Sequence, residues 1–422
     1  MATSLILIID LGILGGIVWW LYKKQDTGVR NFFIPALTVK LLAGIVVGWI
    51  YFYYYGQGDT ITYWQDGKLV AHKIITDPAG SLNFFWSDDV EFNGLVNTKP
   101  RSLFFVKISG LLAFVSAGHY GMMALLISFF AFWGAWYLFL KTQFFFPESR
   151  WPAAVAYLFY PSTVIWSSGL IKESLGLGAL FFLAGFFLTI AGRNKVRNWE
   201  WILAVLSLWF GWSLKYYWIG VFLPLALTTL TVLFIRRWKP AIARFELIIW
   251  TMLVLVAFLI ATGIHPNFYL HRIMEVILEN NTEFMLLTDP DNAVNYPGLR
   301  ATVPSMMMHA PAALLAGLLR PFVWETHNIF SLAAGLENFL LLLMILTGLP
   351  SLKRFITAPH RLVTLAVLVH IIMLAVFLAL STPNLGTLSR YKAGFIPFLV
   401  FISLYQNRWL ERLWNPNPRL GT

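Results

Sequence analysis

Asp59 stands in GQGDTITYWQDG, directly after the apolar run Phe32 to Tyr55. A carboxylate there sits at a lipid–water boundary, where it can serve as a general base toward a substrate carried by a lipid. The cations that would hold an anionic part of such a substrate also stand at the ends of apolar runs. They are Lys172 beside Glu173 in YPSTVIWSSGLIKESLG, Lys215 in SLKYYW, Arg320 ahead of Glu325 in LLRPFVWE, and Arg390 with Lys392 in TLSRYKAGF. Asp66, His72, Lys99 and Arg101 share the same expected face. Ionisable groups at a membrane boundary are costly to hold and generally have a partner or a task.

Each of these residues also has a plainer reading. Lys172 falls in the first turn of a helix expected to open near Ser167 or Ser168, where the helix dipole disfavours a cation and suits Glu173. A bound phosphate would compensate, because the amides of a helix N-terminus and a lysine together make an anion site. Alternatively, Lys172 reaches to headgroups or pairs with a carboxylate. Arg320 and Arg390 offer a permanently charged, bidentate fork for phosphate, or separate contacts with headgroups. Asp59 would equally suit the N-cap of the helix that follows it, with Gly56 and Gly58 letting the backbone turn sharply. Asp88, Asp89 and Glu91 in WSDDVEFNG could hold a divalent cation. Without the spacing of a cation loop they read better as a solvated acidic loop, so no metal or cofactor is expected.

The elements that must position these groups are membrane helices. Hydrophobic residues make up 58% of the 422-residue chain and charged residues 12%, and the mean hydropathy is +0.69, outside the range of a soluble globular domain. A helix of about 20 apolar residues crosses a hydrocarbon core of about 30 Å. Eleven runs are expected to do so: Leu5 to Leu21, Phe32 to Tyr55, Tyr120 to Leu140, Ala153 to Ser167, Leu170 to Ala191, Trp201 to Tyr217, Ile219 to Ile235, Leu247 to Ile264, Ile329 to Leu349, Leu362 to Leu380 and Ala393 to Tyr405. The first run lacks a basic leader and a small-residue cleavage site, so it is expected to remain as a span.

Orientation follows from the basic residues, which favour cytoplasmic loops. Eighteen of the 31 Lys and Arg fall in Lys23/Lys24/Arg30, Lys141/Arg150, Arg193/Lys195/Arg197, Arg236/Arg237/Lys239/Arg244, Lys353/Arg354/Arg361 and Arg408/Arg412/Arg419. They share one side if the N-terminus is outside and the C-terminus cytoplasmic. The net charge of +11 then belongs to the cytoplasmic face, which points to membrane lipids as partners and away from nucleic acid. The expected architecture is thus all-α, a single integral membrane domain over residues 1–422. Two large external loops, Gly56 to His119 and His265 to Asn328, would carry interfacial or re-entrant helices at Ser102 to Ala117 and Pro304 to Leu319. Tryptophan and tyrosine at span ends serve as interfacial anchors, and the absence of cysteine excludes disulfides and thiol chemistry.

The segments GQGDTITYW, PSTVIWSSGLIKE, RPFVWE and SRYKAGFIPFLVF resemble the patterns GGDxxxY, PSxxxWSSGxxKE and RPFxWE and a late basic segment of the GT-C superfamily. These are bacterial integral membrane glycosyltransferases that use polyprenyl-phosphate-linked sugars. The likeness is mainly architectural and covers most of the chain. One departure is that the acidic loop follows the second span, whereas the family pattern places it after the first, so Leu5 to Leu21 would be an added helix.

The resemblance implies transfer of a sugar, with inversion, to a hydroxyl of a glycan, lipid or protein on the external face of the bacterial inner membrane. Asp59 would be the general base, with Asp66 and Glu173 as second-rank carboxylates. Lys172, Arg320 and Arg390, joined by Lys215 and Lys392, would neutralise the departing lipid phosphate. No nucleotide-sugar site is expected. Two other classes stay open: a polysaccharide polymerase or ligase that uses a lipid-diphosphate glycan, and a transporter or lipid flippase. The latter would favour charges at mid-span and broken helices in matched halves. Only Asp10 and Lys40 lie inside early spans, and no halves repeat.

Overall fold

The computed structural model describes residues 2–87, 92–264, 268–357, 360–407 and 409–410. Every regular element among them is helical. In chain order they are α1 Ala2–Lys23, α2 Thr27–Trp49, α3 Asp59–Thr76, α4 Pro78–Trp86, α5 Pro100–Val115, α6 Tyr120–Phe145, α7 Arg150–Ala154, α8 Pro161–Ile165, α9 Lys172–Ala191, α10 Asn198–Trp238, α11 Glu246–Ile264, α12 Leu270–Leu287, α13 Val303–Leu319, α14 Ile329–Thr357, α15 Arg361–Ser381, α16 Leu385–Tyr391 and α17 Ile396–Leu404. Eight stretches among the described residues are long and apolar enough to cross a membrane: Leu5–Lys23, Thr27–Tyr55, Tyr120–Phe145, Lys172–Ala191, Asn198–Trp238, Pro240–Gly263, Ile329–Ser351 and Arg361–Ser381. The chain is a multi-pass helical membrane protein.

Four of the eleven expected spans take a different form. Trp201 to Tyr217 and Ile219 to Ile235 fall in one 41-residue helical run, α10, which is broken by a non-helical Lys215 at φ −142° and ψ 57°. An unbroken helix of that length would reach roughly 60 Å, about twice a hydrocarbon core. The break therefore divides α10 into two segments. Ala153 to Ser167 becomes the short α7, a π-helical turn Val155–Phe159 and the short α8. Pro161 imposes the interruption, because its ring disfavours a helical conformation at Tyr160, which is extended at ψ 125°. Ala393 to Tyr405 becomes the nine-residue α17, whose Ile396, Phe398, Val400 and Phe401 are all buried in protein.

Packing divides the chain into two compact units that alternate along the sequence. Unit 1 comprises Met1–Lys141, Tyr157–Phe186 and Arg197–Tyr216, and unit 2 comprises Thr142–Ala156, Phe187–Val196 and Tyr217–Thr422. The break at Lys215 lies one residue before the chain passes from one to the other.

In unit 1 the first expected loop is itself a helical subassembly. α3 buries Thr60, Tyr63, Asp66, Gly67, Val70 and Ala71, the i, i+3, i+4, i+7 pattern of an amphipathic helix. Its partner is α5, through Phe105, Val106 and Ala113. The two backbones meet at glycines: a Cβ on Gly67 would lie 2.9 Å from the Ser109 carbonyl oxygen, and one on Gly110 would lie 2.3 Å from Val70 Cγ1. The expected interfacial stretch Ser102 to Ala117 is thus α5, packed on α3, with Lys107 buried and donating to the carbonyls of Phe85 at 3.5 Å and Ser87 at 3.3 Å. α4 begins with Asp77 as N-cap, accepting from the Gly80 amide at 2.9 Å, and Pro78 at its first position.

In unit 2 the second expected loop holds α12 and α13, the latter matching Pro304 to Leu319. Asn281 of α12 donates to the Leu380 carbonyl at 2.7 Å, which ties α12 to the end of α15. The loop after α12 is held by the Val294 amide donating to the Pro383 carbonyl at 2.7 Å and by Asn384 Nδ2 donating to Thr288 Oγ1 at 3.1 Å. Asn384 also caps α16 through the Thr387 amide.

Candidate functional site

α2 ends in a π-helical turn, Ile50–Tyr55, a feature that recurs at functional sites. Gly56 then turns left-handed at φ 65°, and Gly58 takes φ 133° with Tyr51 Cε1 2.5 Å from where a Cβ would stand. Only glycine suits Gly58 on both grounds. Gly58 is also the N-cap of α3, and Asp59 is its first residue, so the expected capping role of Asp59 is corrected by one position. The helix dipole still favours a carboxylate there. Asp59 is half-buried, and Tyr63, one turn later on the same helix face, is buried.

Tyr63 leads to Lys172. The Tyr63 hydroxyl donates to Ser102 Oγ at 3.3 Å, Lys172 Nζ donates to the same oxygen at 3.1 Å, and Nζ lies 5.6 Å from the Tyr63 ring centroid. The cation is thus anchored at the first residue of α9 by a hydroxyl and a ring face. Helix α9 opens at Lys172 itself, later than the expected Ser167 or Ser168, because residues 166–171 form turns. Next to Ser102, the exposed Arg101 stacks 5.1 Å from the centre of the Tyr216 ring, and its guanidinium makes no ion pair among the described residues.

Three expected site residues are drawn away from this surface. Glu173 is wholly buried and paired with Lys215 at 2.5 Å, with 4% of the lysine side chain exposed. A charge pair so deep locks α9 to the break in α10 and leaves neither group facing a substrate. The Asp66 carboxylate accepts from the amides of Val96 and Asn97 at 3.0 Å each and from Asn97 Nδ2 at 2.8 Å. With both oxygens engaged and the side chain buried, its geometry is that of a clamp on the 95–97 loop.

Unit 2 holds a separate cluster. Arg320 meets Glu325 with both prongs, Nε to Oε2 at 3.0 Å and Nη2 to Oε1 at 2.6 Å. Burial raises the Glu325 carboxyl, but hydrogen bonds from Arg320 and the Phe322 amide, with the Arg320 charge, outweigh it and hold the group below its usual range. Lys392 is buried and donates to the Arg320 carbonyl. Tyr296, buried with its hydroxyl unpartnered among the described residues, is pushed up to about 12 by burial, partly offset by Arg320. Arg390 lies on α16, half-buried.

The structure therefore brings Lys172, Ser102 and Tyr63 together one turn from Asp59, and brings Arg320 and Lys392 together in unit 2. Ser102 became visible as a site residue only through α5, since nothing in a lone serine marks it, whereas Arg101 beside it already stood on the expected face. Tyr63 had a sequence signal, its i+4 spacing from Asp59. Asp88, Asp89 and Glu91 lie outside the described residues, and no group of three or more metal-ligating side chains occurs among those described. Compared with known proteins, the chain matches no family model, no curated protein and no solved structure.

Proposed function

We propose that the protein is an integral membrane glycosyltransferase of the GT-C type that uses a polyprenyl-phosphate sugar, with its reaction centre in unit 1. The observation that carries this reading is the pairing of a boundary carboxylate with nearby cations. Asp59 stands one turn from Tyr63, and Lys172 and Arg101 flank Ser102. Asp59 would take the proton of an acceptor hydroxyl as its oxygen bonds to the anomeric carbon. The bond to the phosphate oxygen breaks on the opposite face, and the electron pair leaves with the lipid phosphate. Lys172 and Arg101 would neutralise that charge, where preorganised cations lower a barrier most. The cations would accept a phosphate or a diphosphate, so a polymerase or ligase differs from this reading only in donor.

The same reading has eleven crossings, counting the buried stretches 150–165 and 392–404 and both halves of α10. It puts the N-terminus outside and the C-terminus in the cytoplasm of a bacterium, with the acceptor, a glycan, lipid or protein, on the outer side of the inner membrane. Arg320, Lys392 and Lys215 keep structural tasks in it, and Arg390 stays a candidate headgroup contact.

A transporter is the second reading, favoured by one observation. Lys40 is 4% exposed in the middle of α2 and donates to Ser167 in the break between α8 and α9, and such discontinuities line transport sites. The deciding experiment incubates purified protein with a labelled polyprenyl-phosphate sugar and a mixed envelope acceptor fraction, beside a flux assay in proteoliposomes. Transfer that vanishes in Asp59→Asn supports the enzyme. Flux without transfer, abolished by Lys40→Met, would replace it with the transporter.

A further inference from the structure

In unit 2 the ends of several spans gather arginines that nothing above uses. α9 ends at Ala191, and its last carbonyls are closed by the amides of Gly192, Arg193 and Asn194, donating to Leu188, Ile190 and Thr189. Arg193 takes the left-handed conformation in that cap, at φ 61°, with its side chain exposed. Arg237, in the last turn of α10, donates Nη2 to the Ala191 carbonyl at 3.3 Å, which places it over the same helix end. Its neighbour Arg236 donates to Glu246 at 2.9 Å, and Arg361 holds the other oxygen of that buried carboxylate.

The charges do not balance. Glu246 is the one carboxylate that pairs with these four arginines among the described residues, and Arg193 and Arg237 have none. A cation at a helix C-terminus is favourable, which accounts for Arg237 alone. It does not account for a second and third arginine within Coulomb reach of it, Arg193 and Arg236, whose like charges repel. Trp238, 76% exposed, and Phe234, 55% exposed, stand beside them at the end of a spanning helix, the placement of residues at headgroup level. An anion at that level relieves the repulsion, and guanidinium forks match the oxygens of a phosphate.

We propose that Arg193 and Arg237, backed by Arg236, bind the phosphate of an anionic phospholipid headgroup at this end of unit 2. The site is independent of the transfer reaction and stands whether or not that reading does.

The test uses the full-length protein in mixed micelles, with retained lipid counted by native mass spectrometry. Phosphatidylglycerol is expected to be retained over phosphatidylcholine. Arg193→Gln and Arg237→Gln should each weaken that preference about fivefold, and the double variant roughly twenty-five-fold. Arg272→Gln, an exposed arginine of α12 already paired with Glu275 and Glu279, should leave it unchanged. Arg193→Gln alters an exposed side chain, so it serves if Arg237→Gln fails to fold. Equal retention of the two lipids, or an undiminished preference in Arg193→Gln, would overturn the site. Displacement of phosphatidylglycerol by millimolar inorganic phosphate would show that free phosphate, not a lipid, is the ligand, and would overturn the lipid assignment.

Discussion

Lys172 in unit 1 and Arg320 in unit 2 are alike in sequence: each is a cation at the end of an apolar stretch with a glutamate close behind it. Their surroundings differ. Glu173 buries itself against Lys215, while Lys172 donates to the Ser102 hydroxyl and lies over the Tyr63 ring. Glu325 turns back, and occupies the fork of Arg320 with both oxygens. The reason is local geometry. Adjacent residues of a helix point about 100° apart, so Lys172 and Glu173 in the first turn of α9 cannot share a face. Arg320 and Glu325 flank a tight segment in which Glu325 also accepts from the Phe322 amide at 2.9 Å, folding the carboxylate back onto the arginine. The neighbouring glutamate is thus directed to a different lysine in one case and folded back onto its arginine as a clasp in the other.

The largest effect should come from Asp59, at the first residue of α3. Asp59→Asn is expected to lower transfer about 10²- to 10⁴-fold, the usual worth of a positioned base, with expression and thermal midpoint unchanged. Asp66→Asn should instead loosen the 95–97 loop and lower stability while retaining most of the turnover in the folded fraction. If the two variants exchanged these phenotypes, the base would be Asp66.

Breaking the buried pair should come next. Glu173→Gln leaves Lys215 buried without its counter-charge, at a cost of about 3–5 kcal/mol, seen as a fall in folded yield and in denaturation midpoint. The double variant Glu173→Gln/Lys215→Met should recover much of that loss. A single variant as stable as the native protein would mean that Lys215 finds other solvation at the break in α10.

Lys172→Ala should weaken retention of a polyprenyl-phosphate about 10- to 150-fold, the range for a charge-assisted contact of about 1.5–3 kcal/mol. Glu325→Gln should leave that retention unchanged and destabilise the protein by about 1 kcal/mol, because its ion pair is partly solvated. Equal effects of the two on lipid retention would remove the functional distinction between the two units' cations.

By itself the sequence determined the membrane class and the helical architecture, because runs of about 20 apolar residues can satisfy their backbone in lipid only as helices. It also marked Asp59 and Lys172 as candidate site residues, since a charge at the end of such a run is conspicuous in composition alone. It placed a boundary between two spans close to where α10 breaks at Lys215, but it missed the interruption in Ala153 to Ser167, although Pro161 was in plain view. Only tertiary structure decided which charges pair with one another. Glu173 and Lys215 are 42 residues apart, and Lys172 and Ser102 are 70 apart, so no periodicity links them. Their partners follow from which helix ends meet, and that is set by packing such as Gly67 and Gly110 between α3 and α5. Hydropathy reports whether a residue prefers lipid or water, and that preference is the same for a cation set against a hydroxyl and a ring and for one held by a carboxylate.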